Sequence, residues 1–139
     1  MYATRDDMVG RFGADEVIAL TDRGRTGAID DGVLMAALAD AGAVIDGYIG
    51  GRYTLPLGTP PKILTGYACD IARYLLSGGG RMVTDDCRDR YRDASRFLEH
   101  AAAGRVTLGG MPGGGSAPVG QTVQFEAGTR VFARGAGAF

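Results

Sequence analysis

The sequence predicts an all-α protein: a compact bundle of about five helices, two short and three long, with an extended C-terminal arm. Three observations carry this. Apolar residues recur at steps of three and four over long stretches between residues 31 and 103. Each stretch follows a capping residue or a proline and closes at glycine. Glycine, at 24 residues of 139, is unevenly spread and becomes dense past residue 104, where the helical pattern stops.

Taken in order, Thr4 caps a first short helix whose opening turn carries Asp6 and Asp7, both favoured by the helix dipole. Gly13 closes it, and a second short helix, ADEVIALTD, starts at Ala14. After the loop RGRTGAI, Asp30 caps a long helix from about Asp31 to Gly51. Its stripe is Leu34, Leu38, Ala41, Ile45 and Tyr48, widened by Val33, Ala37 and Val44, so it is expected to be covered on more than one side. Pro60-Pro61 restart the chain into PKILTGYACDIARYLLS, with Leu64, Ala68, Ile71 and Leu75 inward, ending at Gly78-Gly79-Gly80. Thr84 caps the last helix, with Asp85 and Asp86 behind it. There Cys87, Tyr91, Ala94, Leu98 and Ala101 face the core, and Gly104 is the stop. Tyr48, Ile71 and Leu98 are expected to be largely buried.

Past Gly104, VTLGGMPGGGSAPVGQ cannot offset its ordering entropy by burial. TVQFEAGTRVFA then alternates as a β-hairpin would, turning at Ala127-Gly128. The division is a helical domain over 1–105 and a Gly-rich tether with an extended arm over 106–139. An isolated hairpin is marginal in water, so the arm needs a partner surface. Phe125, Val131, Phe132 and Phe139 are its anchors, with Arg130 and Arg134 as docking charges. A neighbouring chain, joined by strand or loop addition, is the expected receiver.

Composition excludes several classes. A hydrophobic fraction of 45% suits a globular core. Net charge is −1, so no overall field draws the chain to nucleic acid or anionic lipid. Lys62 is the only lysine among the 15 bases; arginine suits ordered ion pairs, although genome base composition gives the same bias. No apolar run approaches the ~20 residues of a membrane helix. The polar start, MYATRDDMVGRFG, is unlike a signal peptide. Cys69 and Cys87 lack any metal-ligand spacing and are expected as buried thiols, consistent with assembly in the cytoplasm.

No catalytic, cofactor or metal constellation emerges. His100 is the only histidine, and Cys87 lies roughly 20 Å away along the same helix at the usual rise. The pairs Asp30-Asp31 and Asp85-Asp86 sit where helices begin, so capping explains them. SGGGR and GGMPGGGS lack the preceding strand and the following Lys-Ser/Thr of a phosphate loop. The Arg-rich helix over 86–103 offers an alternative function, DNA binding in packaging or regulation, through Arg88, Arg90, Arg92 and Arg96. The interleaved Asp89 and Asp93 weigh against it.

GYIGGRYTLPLGTPP, residues 47–61, joins two antiparallel helices. Asp46 and Arg52 close the first, while Asp70 and Arg73 lie midway along the second. These four are expected to pair as structural ions that fix register, with Leu55 and Leu57 plugging the corner.

IDGYIGGRYTLPL, the PP that follows, ACDIARYLL and RYRDASRFLEHAAAGRVTLG together resemble a Mu-like prophage family long labelled a domain of unknown function. YATRDDMVGRFGADEVIALTDR and GAIDDGVLMAALADAGAVIDGY fit it too, so the resemblance spans residues 2 to 110. That family is similar to the head–tail connector, or adaptor, proteins of tailed phages. The resemblance implies a non-enzymatic subunit without cofactor, sited in the virion neck and made in the host cytoplasm. It would form a homo-oligomeric ring, of twelve-fold order, below the portal protein. The ring would extend the DNA channel, let DNA pass without sequence-specific binding, and dock the next neck or tail-completion protein; no membrane is involved. TRVFARGAGAF matches the family's Arg-aromatic ending loosely.

Overall fold

The computed structural model describes residues 1–78 and 83–109. Five helices make up the regular structure there: α1 (Arg5–Phe12), α2 (Ala14–Thr21), α3 (Asp31–Ile49), α4 (Lys62–Leu76) and α5 (Asp85–Ala102). The chain is therefore all-α over these residues. The arm, including Phe125, Arg130, Val131, Phe132, Arg134 and Phe139, lies outside them.

The helix starts follow from local chemistry. Thr4 and Asp7 form a reciprocal capping box: the Asp7 N–H donates to Thr4 Oγ1 at 3.3 Å, and the Thr4 N–H donates to Asp7 Oδ2 at 2.8 Å. Asp30 Oδ1 accepts from the Val33 N–H at 3.1 Å, and Thr84 Oγ1 accepts from the Cys87 N–H at 3.2 Å. Each satisfies a donor that an uncapped helix leaves open. Gly13 closes α1 and opens α2 with φ near 89°, a conformation L side chains rarely adopt.

Helices α3, α4 and α5 pack against one another, and α1 and α2 cover one end of that layer. The core comprises Leu34, Leu38, Ile45 and Ile49 of α3, Leu64 and Ile71 of α4, and Leu98 of α5, all essentially without solvent contact. Met8 and Val17 bring the two short helices into it. Tyr74 and Tyr91 stack with centroids 4.0 Å apart, tying α4 to α5 on the outside.

Three expectations need correction. Tyr48 is only half-buried, because α3 turns Ile49 inward in its last turn. Leu75 is 40% exposed, and its neighbour Leu76 packs against the core instead. By length and composition α3 is apolar enough to cross a membrane, contrary to the sequence reading. Its inward face is the centre of the bundle, however, packed on α4 and α5. That explains why one helix concentrates so much apolar surface.

Candidate assembly surface

The four charges expected to pair do not pair with one another, and three of them find other partners. Asp70, with a side chain only 4% exposed, is held by Arg11 of α1: Nε reaches Oδ1 at 3.0 Å and Nη2 reaches Oδ2 at 2.8 Å. Arg73 bridges three helices. Its Nε and Nη2 both lie 2.6 Å from Glu16 Oε1 on α2, and its Nη1 lies 2.9 Å from Asp86 Oδ2 on α5. The Arg73 guanidinium also covers the Phe12 ring at 4.6 Å. Asp46 accepts a hydrogen bond from the Tyr2 hydroxyl. Arg52 has no carboxylate partner among the described residues. The physical reason is placement: α1 and α2 fold over α4 and supply the counter-charges that the α3–α4 corner was expected to give.

Protonation follows this geometry. The hydrogen bonds that Arg11 donates to Asp70 raise its pKa against the opposing effect of burial. Burial works against the charge of Arg73, yet the bonds to Asp86 and Glu16 outweigh it and raise its pKa. Asp86 is held below the ordinary carboxylate range, first by Arg73 and then by Arg90. Burial, helped by Asp7, pushes the Cys69 thiol up to about 11, which makes it a poor nucleophile near neutrality. Cys87 is buried as well.

The α3–α4 corner meets the root of the C-terminal tail. Tyr53 is buried, and its hydroxyl accepts the Leu108 N–H at 3.2 Å. Arg52 lies over Gly104, whose φ is near 75°; a Cβ there would collide with the guanidinium. Arg52 Nε is buried without a hydrogen-bond partner among the described residues. Between Thr54 and Pro60, no backbone group bonds to another backbone group among those residues. A groove of about 680 Å³ runs here, walled by Thr54, Leu57, Pro60 and Lys62 of the corner and by Leu108 and Gly109 of the tail root.

On α5, Arg88 pairs with Asp85 at 3.4 Å, Arg90 with Asp86 at 3.0 Å and Arg92 with Asp89 at 2.8 Å. Those arginines answer aspartates of their own helix, which weakens a phosphate-binding face. His100 lies half-exposed in the last turn of that helix. Among the described residues no group of three or more His, Cys, Asp or Glu side chains is placed to hold a metal.

The family model described as Bacteriophage Mu, Gp36 matches residues 2–127. The chain belongs to the phage Mu Gp36 family. Relatives agree: the Mu-like prophage FluMu protein gp36 of Haemophilus influenzae is 38% identical over 109 residues, covering 78% of this chain and 76% of the relative. Gene product J of Escherichia phage Mu is 35% identical over 136 residues, covering 96% and 94%. The Gp36 match runs past residue 110, through the tether and into the arm as far as Ala127.

Sequence reasoning missed Arg11, Glu16, Tyr53 and Leu108. Arg11 lies in the last turn of α1 and Glu16 in the first turn of α2, where the helix dipole alone accounts for their charges. Tyr53 carried no signal for its partner, which lies 55 positions away.

Proposed function

We propose that this chain is a structural head–tail connector subunit of a Mu-like phage. It forms a ring below the portal, extends the DNA channel and docks the next neck or tail-completion protein. The observation that supports this most is the family match over nearly the whole chain, on a helical bundle that offers the tail root and corner as an open surface. The protein works by binding and not by catalysis, and it resides in the virion neck. The arm, residues 119–139, links subunits of the ring or joins ring to portal, with Phe125, Val131, Phe132 and Phe139 as anchors and Arg130 and Arg134 beside them. Arginines satisfied within α5 suit a channel past which DNA slides. The test is to mix purified protein with its portal protein and follow sedimentation and electron microscopy. Rings seated on the portal are expected; a chain that stays monomeric and unbound overturns the reading.

A further inference from the structure

We propose that the corner groove is the receptor for the C-terminal arm, residues 119–139, of a second copy of this chain. This rests on the connector reading and adds where the arm goes. Three observations converge on the groove.

The first is unpaired backbone. Thr54 to Pro60 run irregularly with no backbone partner among the described residues, and Thr54, Gly58 and Thr59 are exposed. Such a segment can accept an extended chain by backbone pairing, while Leu57 and Leu108 supply an apolar floor. The arm sequence TVQFEAGTRVFA has the alternation that this mode of binding reads.

The second is charge. Lys62, the chain's only lysine, stands exposed on the groove wall and forms no ion pair among the described residues. Glu126 is the only acidic residue after Glu99. An arm laid along the groove brings the tail's single acidic side chain to the chain's single lysine, which fixes register.

The third is reach. The described chain ends at Gly109, itself part of the groove wall. Folding the arm back onto its own root needs a turn of about two to five residues. Residues 110–118 instead form a Gly- and Pro-containing tether, whose root-mean-square span is roughly 16 Å and whose extended reach is about 30 Å. That length suits the groove of an adjacent subunit.

The experiment uses phage particles treated with a water-soluble carbodiimide, which condenses a lysine amine and a carboxylate into an amide with no spacer. Because Lys62 is the only lysine, a peptide linking it to Glu126 is unambiguous. The expected product is a covalent species of twice the subunit mass that contains the 62–126 link. The same link at single-subunit mass shows an arm on its own subunit and overturns the proposal. So does Lys62 joined only to Asp6 or Asp7, which line the adjoining groove. A second arm of the test is charge reversal. Lys62→Glu places an acid in the first turn of α4, where the dipole favours it, so the subunit keeps its fold by circular dichroism. Its incorporation into particles is expected to fall about tenfold and to recover in Lys62→Glu/Glu126→Lys; undiminished incorporation of the single variant overturns the proposal. Wild-type protein missing from particles defeats the connector reading itself, whereas protein present without the 62–126 link defeats only the groove.

Discussion

The two sides of this bundle treat their arginines in opposite ways. On the α1–α4 side, Arg11 and Arg73 meet three carboxylates, and each guanidinium lies against Phe12 as well. On the corner side, Arg52 has a buried Nε without a partner among the described residues, above a glycine that only its missing Cβ makes room for. Beside it runs a stretch with no backbone pairing among the described residues. Buried polar groups in finished folds are nearly always satisfied. The contrast teaches that one side satisfies its charges within the described residues, whereas the other leaves there a buried donor for which the proposed assembly would supply the partner.

The comparison breaks first if the core does not dominate both sides. Leu98→Ala removes a fully buried side chain where α5 meets α3 and α4. It is expected to cost about 2–5 kcal/mol, visible as a large fall in Tm, and a shift of only a degree or two would mean the α5 face is misassigned.

Next in size is the complete side. Arg11→Met leaves the buried Asp70 carboxylate without its cation. A loss of about 3 kcal/mol is expected in denaturant unfolding. If stability is unchanged, the pair does not fasten α1 to α4.

Acid sharpens the same side. Asp86 has a folded pKa below its unfolded value. Its contribution is therefore present above the ordinary carboxylate range and is lost as pH falls through the lowered folded value. Tm should decline on acidification, and less steeply in Asp86→Asn. Identical pH profiles for the two proteins would exclude Asp86 as a source of the decline.

The smallest effect belongs to the corner. Because Arg52 answers no carboxylate among the described residues, Arg52→Met strands no buried anion and keeps the packing over Gly104. The isolated subunit should change by less than about 1 kcal/mol, while assembly into particles suffers. A loss several times larger in the isolated subunit would show that Arg52 has a buried partner after all, and the contrast would collapse.

Legibility in the sequence followed the range of the interactions. Thr4, Asp30 and Thr84 could be read as caps because each acts on a backbone N–H three residues away. The same holds for Leu34, Ile45, Ile71 and Leu98, since periodicity alone places them inward. The partners of Asp70 and Arg73 were not legible. Arg11 and Glu16 come from helices 59 and 57 positions away, and only the docking of α1 and α2 on α4 decides that they, and not the corner, supply the counter-charges. Leu75 and Tyr48 kept the right period and still missed full cover, because near the helix ends the next residues, Leu76 and Ile49, face the core instead. For the candidate surface, the sequence marked the corner as architecture but could not place Leu108 under Tyr53 or the groove between them.

The most direct measurement is a reconstruction of the phage neck by electron cryomicroscopy. The account predicts a ring of this helical bundle between portal and tail, with corner and tail root turned to an adjacent subunit and density in the groove beside Lys62. A neck without this chain would contradict the connector function. A ring whose corner and groove face solvent would contradict the claim that assembly completes that side.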